Sequence, residues 1–291
     1  MFPGDTSSQS HGINDSGVVV GRSVGATSNP FYTSGGQMQF VGSLGGNYGW
    51  ATDINNAGQI VGISADANGA THAFLKSNNS MMDLGTFYDY SIAYGINESG
   101  SVTGYSTTAP NFSDAFLYRN GQMQDLGNLG GSSRGFAVND ADHVTGTSVI
   151  DSDGHEHAFL WRNEMLYDLG TVNGAVTSHG LGINNLGHVV GTLVFESTGE
   201  LNRGFLYRNG TMIDVNTLLP DNSGWVLRDA QGINDRGQIV GFGNIGGEQH
   251  AYLLSPVPEA STIAIYGLIF LSILVVHFHA RWKRKGDSRQ N

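Results

Sequence analysis

Apolar and polar positions alternate with a period of two in short runs over the first 254 residues, and clusters of Asn, Asp, Ser and Gly separate the runs. That pattern predicts strands joined by tight turns. A run of the form Ser-x-Ala-x-Gly-Ile-Asn comes first, then an Asn-x-x-Gly turn suited to a type I turn closed by a glycine bulge. Gln-Ile-Val-Gly follows, rich in β-branched residues. A second turn falls at Asn68-Gly69, Asp153-Gly154, Thr198-Gly199 or Gly246-Gly247. His-Ala-Phe-Leu-Trp supplies a third strand, Asn120-Gly121 or Asn209-Gly210 a third turn, and Met-x-Asp-Leu-Gly a fourth strand. A separate apolar run, Ile263 to Phe278, is broken only by Ser272 and His277. Counted from Ala260 to Ala280 it gives a helix of roughly 31 Å, enough to cross a bilayer core of about 30 Å.

The strand pattern repeats. Its first turn recurs at Asn14, Asn55, Asn97, Asn139, Asn184 and Asn234, at intervals of 41, 42, 42, 45 and 50 residues. The fourth copy has Asp142 where the others have Gly. Four short antiparallel strands per unit of about 42 residues predict an all-β, propeller-like body of about six four-stranded blades. A β-solenoid is the alternative. Six first, second and third strands can be counted but only five fourth strands, the last unit ending at Ala251-Tyr252-Leu253-Leu254. Met1-Phe2-Pro3-Gly4-Asp5 aligns with Thr86-Phe87-Tyr88-Asp89, just after a fourth strand. The expectation is that an upstream strand completes the sixth blade. Residues 1–20 contain no basic and apolar leader, so an export signal is likewise expected upstream.

Composition adds location more than activity. Residues 281–291 hold five basic residues and one acid, which leaves nine basic and 24 acidic residues, a net of −15, in the first 280. Such a body repels nucleic acid. With no cysteine, disulfides and thiolate metal sites are excluded. The order Val257-Pro258-Glu259-Ala260-Ser261-Thr262, apolar run, then Arg281, Lys283, Arg284 and Lys285 resembles the PEP-CTERM sorting signal of Gram-negative bacteria, with Ala260 where the second Pro of that motif usually stands. The tail is also known as an ice-binding protein C-terminal domain. The resemblance implies handling by an exosortase-type sorting enzyme at Val257, Pro258 and Glu259. The expected layout is a repeat domain over 1–255, a sorting signal over 256–285 with a transmembrane helix at 261–280, and a cytoplasmic tail at 286–291. The basic cluster would stop transfer and keep the C-terminus cytoplasmic. That places the protein in the inner membrane as a single-pass chain, en route to the cell surface or extracellular matrix. The body itself, through His72-Ala73-Phe74 and its kin, resembles the HAF repeat of bacterial exported proteins.

Candidate chemistry is sparse. Asp83, Asp125, Asp168 and Asp214 recur at one repeat position and are expected to brace turns. Asp151, Asp153, His155 and His157 are weak metal-ligand candidates, better explained as a solvated turn. His143, His179 and His188 could face a common channel, but edge or surface positions are the favoured reading. Glycines such as Gly45-Gly46 precede strands and cannot cradle phosphate as a helix N-terminus does. No catalytic residue and no cofactor is expected. The expected function is a non-enzymatic binding or structural module, with exopolysaccharide or surface proteins as partners. The alternative is an enzyme acting on extracellular polysaccharide. Literal ice binding would need regular Thr arrays, and the repeat has none.

Overall fold

The computed structural model describes residues 1–150, 154–196, 201–256 and 273–275. They form six antiparallel meanders in chain order. Unit one is Ser7–Ile13, Val19–Val24, Ser28–Ser34 and Gln37–Phe40. Unit two is Gly45–Ile54, Ile60–Asp66, Thr71–Ser77 and Ser80–Asp83. A single parallel pairing, Ser28 with Tyr48, links these two units. Unit three spans Ser91–Ile96 to Gln122–Asp125, unit four Ser133–Val138 to Met165–Asp168, and unit five Thr177–Ile183 to Thr211–Asp214. In unit six the first strand is split into Trp225–Leu227 and Gly232–Ile233, both paired with Ile239–Ile245, which pairs with Glu248–Pro256.

Two elements of the sequence reading are corrected here. The sixth sheet takes its fourth strand from Ile273–Val275, with Leu254 opposite Val275 and Pro256 opposite Ile273. These residues lie within the stretch expected to be a transmembrane helix. Among the described residues no helix is long and apolar enough to cross a membrane. The helix at 261–280, and the single-pass inner-membrane placement with a cytoplasmic C-terminus that rested on it, therefore do not stand. Hydropathy measures how apolar a run is, not which backbone partner it takes. An Ile-Leu-Val triplet beside an unpaired strand edge satisfies its amides in a ladder. The sorting residues Val257, Pro258 and Glu259, the basic cluster Arg281, Lys283, Arg284 and Lys285, and the candidates Asp151 and Asp153 lie outside the described residues.

Packing follows the repeat. Each joint between consecutive units carries one apolar cluster. Val20, Ala51, Ile54 and Phe74 fill the first joint, and Val61, Ala73, Ala93, Ile96 and Phe116 the second. Ala115, Leu117, Val138 and Phe159 fill the third, Ala158, Leu160, Leu193 and Phe205 the fourth, and Val190, Leu206, Leu227 and Tyr252 the fifth. The repeated Phe of the third strand, at Phe74, Phe116, Phe159 and Phe205, is fully buried. Complete burial of such a side chain contributes roughly 2–3 kcal/mol.

Candidate functional site

The Asn-x-x-Gly turns that follow the first strands of all six units gather around one opening. Each repeated Asn from Asn14 to Asn184 does two jobs. Its side-chain oxygen accepts backbone N–H groups of its own turn, as Asn139 does from Ala141 (3.0 Å) and His143 (2.9 Å). Its side-chain amide donates to the backbone carbonyl of the next unit's Asn. The distances are 3.2 Å from Asn14 to Asn55, 3.0 Å to Asn97, 2.8 Å to Asn139, 2.9 Å to Asn184 and 3.0 Å to Asn234. One residue on, a second ladder runs beside it. The N–H of Asp15 donates to Asn56, Asn56 to Glu98, Glu98 to Asp140, Asp140 to Asn185, and Asn185 to Asp235, all at 2.8–3.0 Å. Asp15, Glu98, Asp140 and Asp235 make this mouth acidic, and residues of every unit line it.

The repeated aspartates brace turns, as their periodicity implies. Asp83, Asp125 and Asp168 each accept the N–H of the Gly two residues on, at 2.7–2.8 Å, and Asp214 that of Asn216 at 2.9 Å. Asp83 and Asp168 also bind the His of the neighbouring strand, His72 at 2.8 Å and His157 at 2.9 Å. His155 turns to Glu196, at 2.9 Å. The two histidines of the metal candidate group thus go to different carboxylates, and among the described residues no group of three or more His, Asp or Glu could hold a metal ion. His143 and His188 occupy the same turn position, neither lines the acidic mouth, and burial lowers the pKa of both.

Away from the turns, around the first two strands of units one to five, the repeat is broken by larger side chains that sequence periodicity could not assemble. Tyr48 stands edge-on to Trp50 at 5.5 Å. Tyr105 lies 5.9 Å from Tyr90 and 6.0 Å from Tyr94, and Tyr94 lies 5.3 Å from Phe136. Arg22 sits over Trp50 at 5.5 Å and Arg134 over Tyr105 at 5.6 Å. Tyr48 is 44% exposed, so the row is open to solvent rather than core. Desolvation raises the Tyr90 hydroxyl and pushes Tyr94 up to about 12, so both remain neutral hydrogen-bonding groups at neutral pH. At the far end, His179 meets Glu156 at 3.0 Å, and the hydroxyl of Thr147 donates to the same carboxylate at 3.3 Å. The hydrogen bond from His179 holds Glu156 below the usual carboxylate range. Because Thr147 and His179 both address Glu156, the hydroxyl is not activated by the imidazole as a nucleophile would be.

Asp53 is a further departure from the repeat, since other units have Gly12, Gly95, Ala137, Gly182 or Gly232 there. Its carboxylate accepts N–H bonds from Ile54 (2.9 Å) and Ile96 (3.0 Å), yet burial raises its pKa from 3.8 to about 6. A folded-state pKa above the unfolded value means the native protein holds this proton longer. Its contribution therefore favours folding most below about pH 4 and declines as pH rises to about 6, by at most roughly 3 kcal/mol. Asp53→Ala should remove that slope. Denaturant titrations at pH 4 and 7 would then show the stability difference between parent and variant moving by about 2 kcal/mol, whereas a constant difference would contradict the assignment.

No family model matches the chain, and no curated protein matches it. Solved structures do. The β-propeller domain of the Trilobed protease from Pyrococcus furiosus, described as having an open velcro topology, superposes with a TM-score of 0.50 at 10% identity, over 86% of this chain and 81% of that one. TolB from Acinetobacter baumannii gives 0.45 at 12% identity over 78% of this chain, and a puromycin-hydrolyzing peptidase of Mycobacterium tuberculosis 0.42 at 10% over 81%. The chain spans 57% and 50% of those two proteins. The fold is a β-propeller of four-stranded repeat units.

Proposed function

We propose that this propeller is a non-enzymatic binding module and that its ligand is a polysaccharide laid along the aromatic row. The observation that carries the reading is a pair of ring groups in neighbouring units, Tyr48 with Trp50 and Tyr90, Tyr105, Tyr94 and Phe136 in succession, flanked by Arg22 and Arg134. Half-exposed aromatic faces stack on the C–H faces of sugar rings while phenol and guanidinium groups bind hydroxyls. The residues come from four different units and break the repeat, so scaffold symmetry does not account for them. Recognition of Val257-Pro258-Glu259 by an exosortase-type enzyme belongs to the same proposal, and mass spectrometry of the mature C-terminus tests it.

Purified protein screened against immobilised polysaccharides should retain at least one. Trp50→Ala and Tyr105→Ala should each weaken that binding about tenfold or more, the loss of roughly 1.4–2 kcal/mol expected of a central aromatic contact. Retention unchanged in both variants would remove the aromatic row from the account. New reducing ends appearing in the retained polysaccharide would favour the enzymatic reading instead, with Glu156 and His179 as the first residues to substitute.

A further inference from the structure

Among the described residues six units make five joints, and both ladders stop at unit six. The side-chain amide of Asn234 turns back onto Gln238, at 2.8 Å, where each preceding Asn reaches the next unit's carbonyl. The apolar clusters likewise number five among the described residues, one per joint. The sixth unit therefore presents a face that its predecessors bury. Val240 is 48% exposed, while Val20, Val61 and Val190 at the same repeat position are fully buried. Ala251 is exposed where Ala73, Ala115 and Ala158 are fully buried. Unit one shows the complementary vacancy. Its first strand is exposed along nearly all its length, and Ile13 is 65% exposed against 6% for Ile54 and 7% for Ile96.

We infer that these two surfaces are the halves of a sixth joint made between two copies of this chain, unit six of each seated on unit one of the other. Every formed joint specifies its own complement. The face bearing Val61 and Ala73 receives a first strand bearing Ala93 and Ile96, and the face bearing Val240 and Ala251 is built to receive the same kind of strand. The chain's own unit one carries such a strand, yet among the described residues the two surfaces do not meet and both stay exposed. Two copies related by a two-fold axis satisfy all four halves at once. The joint would bring Asp235 beside Asp15. The third joint already tolerates a like meeting, Glu98 beside Asp140, through the backbone donor of Glu98.

Sedimentation of the full chain over a range of concentrations tests this. A reversible dimer is expected. Val240→Glu and Ile13→Glu should each yield monomers with an unchanged far-ultraviolet spectrum, since both positions are already exposed in one copy. Mixing the two variants should restore dimers, because a mixed pair keeps one joint with both native residues. A monomer at every concentration overturns the proposal. If that monomer also loses thermal stability in Val240→Glu, the joint closes within one chain instead. A dimer that survives both substitutions overturns it as well.

Discussion

Gly146→Ala is expected to lower stability by about 3 kcal/mol or more and the unfolding midpoint by roughly 6–10 °C. The cause is a bulge. In unit four the register between the first two strands slips between Gly135 and Ala137. The carbonyl of Arg134 is thereby turned at the Cα of Gly146, and a methyl group there would overlap that oxygen. The obstacle is backbone on both sides, so no rotamer change relieves it. The same overlap recurs at Gly21 with Gln9, Gly62 with Trp50, Gly104 with Ile92, Gly191 with His179 and Gly241 with Asp229. Gly232→Ala is the control. Its added methyl would meet only a Val240 side chain at 3.4 Å, and a change of less than about 1 kcal/mol is expected. Equal midpoints for the two variants in calorimetry would refute the role of the bulge.

The second large effect is expected at Asn139, which is 4% exposed. Asn139→Ala strips the acceptor from the N–H groups of Ala141 and His143 and cuts the ladder to Asn184. Both donors are part-buried, so each costs toward the lower end of about 1–3 kcal/mol when left without its partner, and with the lost ladder bond a decrease of about 2 kcal/mol is expected. Asn139→Asp separates the two jobs. The carboxylate keeps both turn bonds but sets an oxygen against the Asn184 carbonyl. That repulsion raises the new carboxyl's pKa in the fold, so the variant should be impaired at neutral pH and recover as the pH falls toward 4. Denaturant midpoints measured across pH 4–8 read this directly, and a pH-independent loss would mean the ladder contributes little.

The repeat, the four strands per unit and the turn-bracing aspartates were legible because each is periodic, and periodicity survives without coordinates. Asp142 was also legible as an exception, and it takes a left-handed φ of 60° where Gly17, Gly58 and Gly100 have 74–85°. The bulge was not legible, because the recurrent Gly of the second strand answers a carbonyl on another strand. Nor was the division of unit six's first strand, where Asp229 and Arg228 both direct their N–H groups to the Phe242 carbonyl. The aromatic row escaped for a different reason. Tyr94 and Phe136 share one column of the repeat, three residues before Asn97 and Asn139, but the other units have His11, Thr52, Leu181 and Gln231 there, and Tyr48 and Tyr105 stand in different columns, so the rings meet only when neighbouring units are set side by side. The apolar tail misled because length and hydropathy suit a helix and an edge strand alike.

The ladder also decides where this protein can tolerate extra sequence. The intervals between successive asparagines grow from 41 to 50 residues, but the Asn-to-Asn bond is 3.2 Å across the shortest and 3.0 Å across the longest. The added length in the last interval includes the turn Val215–Leu218 and the approach to Trp225, away from the opening that the turns line. Insertions are absorbed at the periphery while the hub keeps its spacing. The outer loops are thus free to diverge from unit to unit, and the asparagine that closes each first strand is the residue that makes this divergence harmless.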